Sequence, residues 1–110
     1  MEARTSADLL RGHTDAVVLS VLQKGDSYGY EIHRSIIGKL GGEHELKEAT
    51  LYSSYKRLES YGCIASYWGD GTLGGRRKYY SITDSGKELL RQSKADWAMT
   101  KAVLDKLLEG

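Results

Sequence analysis

The sequence predicts a mainly α fold of the α+β class, a winged helix-turn-helix followed by a long C-terminal helix. Apolar residues recur at helical spacing in four segments, and two short β-prone segments follow the third of them. A glycine-rich basic connection joins these two β-prone segments. The 110 residues are enough for one domain. We divide it into a winged helix-turn-helix over residues 1–83 and a C-terminal dimerisation helix over residues 84–110, packed as one compact unit.

The first helix is predicted to begin at Ser6 or Ala7 and to end at Gln23, because one face of this segment is apolar at helical spacing. Gly25 and Asp26 end this helix and begin the cap of the next one. The predicted apolar face consists of Leu10, Thr14, Val17, Val18, Val21 and Leu22.

The second helix is predicted over about Tyr28 to Leu40, with Asp26 or Ser27 as the N-cap. Ile32 and Ile36 lie four residues apart and form its predicted buried stripe. Glycines at positions 41 and 42 end the helix.

The third helix is predicted from Glu48 to Tyr61, with a glycine at position 62 as the C′ residue. Leu51, Tyr55 and Leu58 lie on one face, so the opposite face is small, polar and basic. Small side chains let a helix approach base edges, and basic ones neutralise phosphates. This outer face consists of Ala49, Ser53, Lys56 and Ser60, with Arg57 at its edge.

A β-hairpin with a basic tip is predicted next. Its strands are Ile64 to Trp68 and Arg77 to Ile82, and the connection GDGTLGG contains four glycines. Arg76, Arg77 and Lys78 sit together beside this turn, which suits DNA phosphates or a minor groove. Taken alone, a solvated hairpin is the competing interpretation. The position directly after the third helix favours DNA contact.

The fourth helix is predicted to start after the N-cap Thr83 and to reach Leu108, which gives about 38 Å at 1.5 Å per residue. A domain of this size does not cover so long an apolar stripe, so the stripe predicts a homodimer with the first helix as an additional surface. Two-fold symmetry places two third helices about 34 Å apart and predicts an inverted-repeat operator. The stripe consists of Leu90, Trp97, Leu104 and Leu108, flanked by Leu89, Val103 and Leu107.

Three segments carry a resemblance to a known family: residues 10–32 (LRGHTDAVVLSVLQKGDSYGYEI), 49–64 (ATLYSSYKRLESYGCI) and 74–90 (GGRRKYYSITDSGKELL). Together they resemble the PadR-like transcriptional regulators over nearly the whole chain. The resemblance implies a homodimeric, sequence-specific repressor of a transporter or stress operon. By position it implies DNA contacts from Thr50, Tyr52, Ser53, Lys56 and Arg57 on the third helix, from Gly75, Arg76, Arg77 and Lys78 on the wing, and from the aromatic pair Tyr28 and Tyr30. For Tyr52, a partly buried core position is an equal alternative.

Within the family, the chain is most similar to the smaller members of the lactococcal multidrug-resistance type. That similarity implies a pore at the dimer interface that binds a planar aromatic effector. Trp97 then has two interpretations, a dimer anchor or a ligand-stacking residue. Lys94 and Lys101 depart from the relative and disfavour cationic ligands, so the effector is expected to be neutral or anionic. The expected ligand and dimer surface comprises Leu9, Leu10, Ala16, Leu90, Lys94, Trp97, Lys101 and Leu104.

Other functions find little support in the sequence. The net charge is only +1, so DNA binding requires local charge segregation. Cys63 is the sole cysteine, which excludes a disulfide within the chain and fits a cytoplasmic protein, and its role stays open between a core residue and a redox sensor. No apolar run approaches membrane-span length, and we expect no metal, cofactor or enzymatic activity. The alternative function is a winged-helix protein-interaction module that does not bind DNA.

Overall fold

Four helices and a three-stranded antiparallel sheet make up the part of the chain that the computed structural model describes, residues 10–70 and 75–109. The sheet order is β1-β3-β2. The mainly α prediction of a winged helix-turn-helix with a long C-terminal helix is confirmed. In chain order the elements are α1 (Thr14–Gln23), β1 (Ser27–Tyr28), α2 (Gly29–Leu40), α3 (Glu48–Ser60), β2 (Ile64–Asp70), β3 (Arg76–Ile82) and α4 (Asp84–Leu108).

The first helix begins later than predicted. Residues 10–13 form a turn, in which the His13 N–H donates to the Leu10 carbonyl at 2.8 Å. Gly12 has φ +84°, a left-handed conformation that a continuing α-helix does not accommodate. The helix therefore starts at Thr14, and the prediction of a helix running unbroken through residues 10–13 is wrong. The predicted start at Ser6 or Ala7 lies outside the described residues.

The strand β1 was not predicted, and it changes the cap of α2. Ser27 pairs with Tyr80 and Tyr28 pairs with Tyr79, which adds a third strand to the hairpin. The N-cap of α2 is Tyr28, in extended conformation, so the prediction of Asp26 or Ser27 is wrong. The Ser27 hydroxyl donates instead to Glu31 Oε1 at 2.6 Å. Ser27 therefore contributes its backbone to the sheet and its hydroxyl to the first turn of α2.

The remaining boundaries differ from the predictions by one or two residues. α2 starts at Gly29, α3 ends at Ser60, and both hairpin strands extend toward the tip to Asp70 and from Arg76. The predicted glycine C′ of α3 is confirmed, because Gly62 has φ +74°.

A single apolar core joins all four described helices to the sheet. The predicted inward residues of α2 and α3 are buried, and so is Cys63. Leu19 is fully buried although the predicted stripe of α1 omitted it, whereas Val17 and Val21 pack only at the margin. The buried apolar residues are Val18, Leu19, Leu22, Ile32, Ile36, Leu46, Leu51, Tyr55, Leu58, Cys63, Ile64, Tyr80 and Leu90.

The helix α4 is anchored at its first turn. The Thr83 side chain caps it by accepting from the Gly86 N–H at 3.1 Å, as predicted. Gly86 and Leu90 are its buried residues, so Leu90 belongs to the core rather than to an exposed stripe. Beyond this anchor the helix exposes apolar side chains: Trp97, Met99, Val103, Leu104, Leu107 and Leu108, each at least 47% exposed.

Candidate nucleic-acid interface

The outer face of α3 presents small and basic side chains. Ser53 and Lys56 are exposed, and Thr50 is partly exposed. Tyr52 is 50% exposed and leans edge-on against Tyr55, with 5.5 Å between the ring centroids. Tyr52 therefore lies at the margin of the core with its ring half in solvent, which leaves it available for contact.

Arg57 differs from its neighbours on α3 because an acid of α1 already holds its guanidinium. Arg57 Nε donates to Asp15 Oδ2 at 2.9 Å, and Nη2 donates to Oδ1 at 2.6 Å. The hydroxyl of Ser54, which is fully buried, donates to the same Oδ1 at 2.8 Å. Burial raises the pKa of Asp15, but the hydrogen bonds from Arg57 and Ser54 and the charge of Arg57 outweigh it, so the pKa lies below its usual value of 3.8.

The wing formed by β2 and β3 does not place its three cations on one face. Side chains alternate along a strand, so Arg76 and Lys78 lie on one face of the sheet and Arg77 lies on the other. The three cations are thus adjacent at the start of β3 but are divided between the two faces of the sheet. Lys78 Nζ is 3.8 Å from Glu59 of α3, which places the face of Lys78 toward the third helix.

Each wing cation lies over an aromatic ring. The guanidinium of Arg77 is 4.7 Å from the ring centroid of Tyr28, and that of Arg76 is 5.5 Å from the ring of Trp68. Lys78 Nζ is 5.6 Å from the ring of Tyr80. A cation over an aromatic face is oriented without being neutralised, so the charges of Arg76 and Arg77 stay available to a phosphate, whereas Lys78 also lies 3.8 Å from the carboxylate of Glu59.

The aromatic pair at the start of α2 extends this basic surface. Tyr28 lies beneath Arg77, and Tyr30 is 57% exposed with the guanidinium of Arg34 at 5.9 Å from its ring centroid. Arg34 is not among the residues predicted from the sequence. Its spacing from Tyr30, four residues along a helix, is the signal that would have identified it. The surface offers both hydroxyl and guanidinium donors.

Gly75 is the wing-tip glycine for which the family resemblance implies a DNA contact. It begins the described part of the chain after the tip and is exposed. Gly69 on β2 has a steric role, because a Cβ there would lie 2.6 Å from the ring of Tyr79. Tyr79 stacks on Tyr67, with 5.6 Å between the ring centroids. The absence of a side chain at Gly69 thus permits this stack, which stiffens the wing.

A groove of about 1000 Å³ lies between α1, the end of α2 and α4. Five residues of the predicted ligand and dimer surface line it: Leu10, Ala16, Leu90, Lys94 and Trp97. The further expected residues Lys101 and Leu104 do not line it, and Leu9 lies outside the described residues. Lys101 Nζ instead pairs with Asp105 at 3.1 Å. The groove also includes the charged residues Asp15, Lys39 and Asp96.

Two features bear on alternative functions. Across residues 10–70 and 75–109, no group of His, Cys, Asp and Glu side chains could hold a metal ion. The ring of His33 serves the fold, since Nε2 donates to the Leu46 carbonyl at 2.6 Å. Within the same part of the chain, no helix is both long and apolar enough to cross a bilayer.

The fold and its basic surface define a winged-helix protein of the kind that reads DNA, and comparisons with known proteins identify the family. The model of the transcriptional regulator PadR-like family matches residues 18–92. The chain therefore belongs to the PadR-like family, and it is a DNA-binding transcriptional regulator rather than an enzyme.

Solved structures and a sequence relative agree with this family. A transcriptional regulator from Clostridium thermocellum is 45% identical, with a TM-score of 0.82, covering 90% of this chain and 96% of that one. A PadR family transcription regulator from Clostridium difficile R20291 is 40% identical, with a TM-score of 0.76, covering 88% and 99%. An uncharacterized protein of Lysinibacillus sphaericus is 41% identical over 104 residues, which is 94% of this chain and 95% of that protein.

Proposed function

We propose that the protein is a homodimeric repressor that binds an inverted-repeat operator, with α3 in the major groove and the wing on the flanking backbone. One observation carries the proposal: the first turn of α4 is anchored in the core, while the rest of the helix exposes apolar side chains. Burying that surface against a second copy follows the usual role of large exposed apolar patches. A two-fold dimer then places two copies of α3 about one DNA turn apart.

The dimer is tested by the sedimentation of Leu104→Lys beside the unmodified protein. Leu104 is 47% exposed on the apolar side of α4, so a lysine there leaves the core intact and introduces two charges into a symmetric interface. We expect the variant to sediment as a monomer at micromolar concentration. Ala98→Lys is the matched control, because it adds the same charge at an exposed position that lies at least about 80° around α4 from every exposed apolar side chain of the helix. A monomeric unmodified protein contradicts the proposal.

On the DNA side we propose contacts from Thr50, Tyr52, Ser53, Lys56 and Arg57 on α3, and from Gly75, Arg76, Arg77 and Lys78 on the wing, with Tyr28 and Tyr30 touching the backbone. Arg77→Ala tests the wing. Because a phosphate contact carries no sequence information, we expect weaker binding to all duplexes and a salt slope smaller by about 1.

Mobility shifts at several salt concentrations measure this slope, with Lys106→Ala, near the far end of α4, as the charge-matched control. A change in base preference alone contradicts the assignment of Arg77 to phosphate. Complete absence of DNA binding by the unmodified protein would favour the protein-interaction module instead.

The proposed effector is a planar aromatic molecule, neutral or anionic, that stacks on Trp97 in a multidrug-type pore. Supporting this charge preference, Lys39 and Lys94 line the groove, and the acid Asp15 in its wall is already paired with Arg57. The side chain of Lys24 lies beside Lys39 and lowers the pKa of Lys39 through a hydrogen bond and through its charge, so two lysines stand at that end of the groove. Asp96 is the opposing acid.

Trp fluorescence tests the effector in a Trp68→Phe background, where Trp97 is the only remaining tryptophan. The probes are riboflavin as the neutral planar molecule, an anthraquinone sulfonate as the anion and ethidium as the cation. We expect quenching by the first two. Tight binding of ethidium alone contradicts the charge preference. If the effector still causes the Trp97→Ala variant to release DNA, the assignment of the binding site to Trp97 is contradicted.

A further inference from the structure

The ion pair between Asp15 and Arg57 lies at the edge of the proposed recognition face. Arg57 follows Thr50 and Ser53 along one side of α3, at a spacing of seven and four residues. These two neighbours are short and polar, and together with Arg57 and the start of α1 they line a cleft. The side chain of Arg57 is 44% exposed. A guanidinium at this position is therefore reachable from the side on which α3 would meet DNA.

The geometry of the pair uses only one side of the guanidinium. Asp15 accepts from Nε and Nη2, which form the lateral fork of an arginine. Among the described residues, Nη1 donates no hydrogen bond. The end of the guanidinium, Nη1 together with the second hydrogen of Nη2, is the fork that matches the O6 and N7 acceptors of guanine. Ser54 Oγ is the competing acceptor, at 3.3 Å from Nη2.

The acid is itself held in place. Ser54 is fully buried and donates its hydroxyl to Asp15 Oδ1, so the carboxylate has partners on both oxygens. An arginine fixed in this way loses less side-chain entropy when it binds. The other acid–arginine fork of the described residues, Glu88 with Arg91 on α4, lacks such support, because both side chains are more than half exposed.

We infer that Arg57 reads a guanine in the major groove and that Asp15 is the positioning residue that orients it. This inference deepens the proposed function and depends on it. Asp15 occupies the lateral fork, and the terminal fork meets the base when Nη2 exchanges its longer hydrogen bond to Ser54 Oγ, at 3.3 Å, for the guanine acceptor. Its negative charge also lies beside the DNA and disfavours binding where no guanine is present. The pair thus determines which base is accepted at one position of each half-site.

A competing mechanism makes opposite predictions. If Asp15 only withheld Arg57 from phosphates, its neutralisation would release a cation. Binding to every duplex would then become tighter, the salt slope would increase by about 1, and base preference would remain unchanged. A purely structural pair would lower thermal stability and affinity for all sequences alike, again without a change in preference.

The experiment is selection from a duplex pool with a randomised centre, followed by sequencing, with the full chain, four single variants and one double variant, Asp15→Asn with Arg57→Ala. The single variants are Asp15→Asn, Arg57→Ala, Arg57→Lys and the control Glu88→Gln, which neutralises an arginine-paired acid away from α3. We expect the unmodified protein to enrich a guanine at one symmetry-related position. Arg57→Ala should reduce that preference about 5- to 150-fold, the range of one bidentate base contact.

Asp15→Asn should reduce preference at the same position by about fivefold or more, and Arg57→Lys should reduce it too, because a lysine keeps the charge but lacks the fork. Glu88→Gln should enrich the same sites as the unmodified protein. Adding Asp15→Asn to Arg57→Ala should cause no further loss, because the acid acts only through the arginine. Thermal melting of every variant identifies any loss that arises from unfolding.

The outcomes separate the inference from the proposed function. If the unmodified protein enriches no sequence, the proposed function fails and the inference fails with it. If it enriches an operator that Asp15→Asn and both Arg57 variants enrich equally well, only the inference is overturned. Tighter binding of Asp15→Asn to all duplexes with an unchanged preference also overturns it, in favour of the competing mechanism.

Discussion

Replacing Gly86 with alanine tests how α4 is attached to the winged domain. Gly86 lies in the first turn of α4, where the helix passes closest to the start of β2. A Cβ at this position would lie 2.1 Å from the carbonyl oxygen of Cys63 and 2.8 Å from Ile82 Cγ1. The carbonyl group of Cys63 cannot move easily, because hydrogen bonds hold the backbone of this residue on both sides. The Cys63 N–H donates to the Leu58 carbonyl at 2.8 Å, and the Cys63 carbonyl accepts from the Thr83 N–H at 3.1 Å.

The magnitude follows from two opposing effects. A carbon–oxygen contact needs roughly 3.3 Å, so the helix or the strand must move by about 1 Å. Overpacking of this kind costs about 1–3 kcal/mol, and the fixed backbone at Cys63 places the cost at the upper end. Alanine gains about 1 kcal/mol over glycine in a helix. The net loss for Gly86→Ala is therefore about 2 kcal/mol, or roughly 8–15 °C in Tm for a domain of this size.

The assay is thermal unfolding followed by circular dichroism at one fixed protein concentration, since self-association makes Tm depend on concentration. Gly38→Ala is the matched control. Gly38 is an exposed glycine inside α2, and a Cβ there meets nothing within 4 Å. This control should be more stable than the unmodified protein by about 0.5–1 kcal/mol. If Gly86→Ala is stabilised in the same way, the close approach of α4 to Cys63 is refuted.

Two further predictions concern the interface. In Asp15→Asn, the loss of the ion pair should lower stability at about pH 6, because the depressed pKa of Asp15 stabilises the fold only above the unfolded value of 3.8. Urea unfolding measures the difference in unfolding free energy between the variant and the unmodified protein, and this difference should disappear as the pH falls through the lowered pKa of Asp15. A difference that persists at about pH 2 refutes the role of the charge. Gly69→Ala should displace Tyr79 from its stack on Tyr67 and destabilise the protein by about 1 kcal/mol, measured by urea unfolding. A stable variant with unchanged DNA affinity contradicts a stiffening role for the stack.

The sequence predicts the elements that depend on local pattern. The apolar spacing of Leu51, Tyr55 and Leu58 defines α3, and all three are buried. Thr83 caps α4 because its hydroxyl accepts from the N–H of Gly86, only three residues later in the same segment. The buried face of α3 and the cap of α4 depend on residues that are close together in the chain, so both can be predicted from a single sequence.

Strand pairings, ion pairs and core contacts between residues distant in the chain could not be predicted from local sequence patterns. The strand β1 has only two residues, and its pairing with Tyr79 and Tyr80 is set by the hairpin some fifty residues later. The ion pair of Arg57 also could not be predicted from the sequence. Its partner Asp15 lies 42 residues away, and no local pattern in either segment indicates that the two side chains meet. Leu90 follows the apolar repeat of α4 but belongs to the core, because the first turns of that helix pack on α1.

The junction at Thr83 gives a physical reason for the proposed dimer to influence DNA binding. Only this residue separates β3 of the wing from α4. Its hydroxyl donates to the Gly62 carbonyl at 2.6 Å, and its N–H donates to the Cys63 carbonyl. Gly62 and Cys63 follow the C-cap residue of α3, Tyr61, so the third helix, the wing and α4 meet at one hydrogen-bonded point. We therefore expect a change in the angle between two paired copies of α4 to move the wing and the end of α3 together. An effector can produce that change only by binding one angle more tightly than the other.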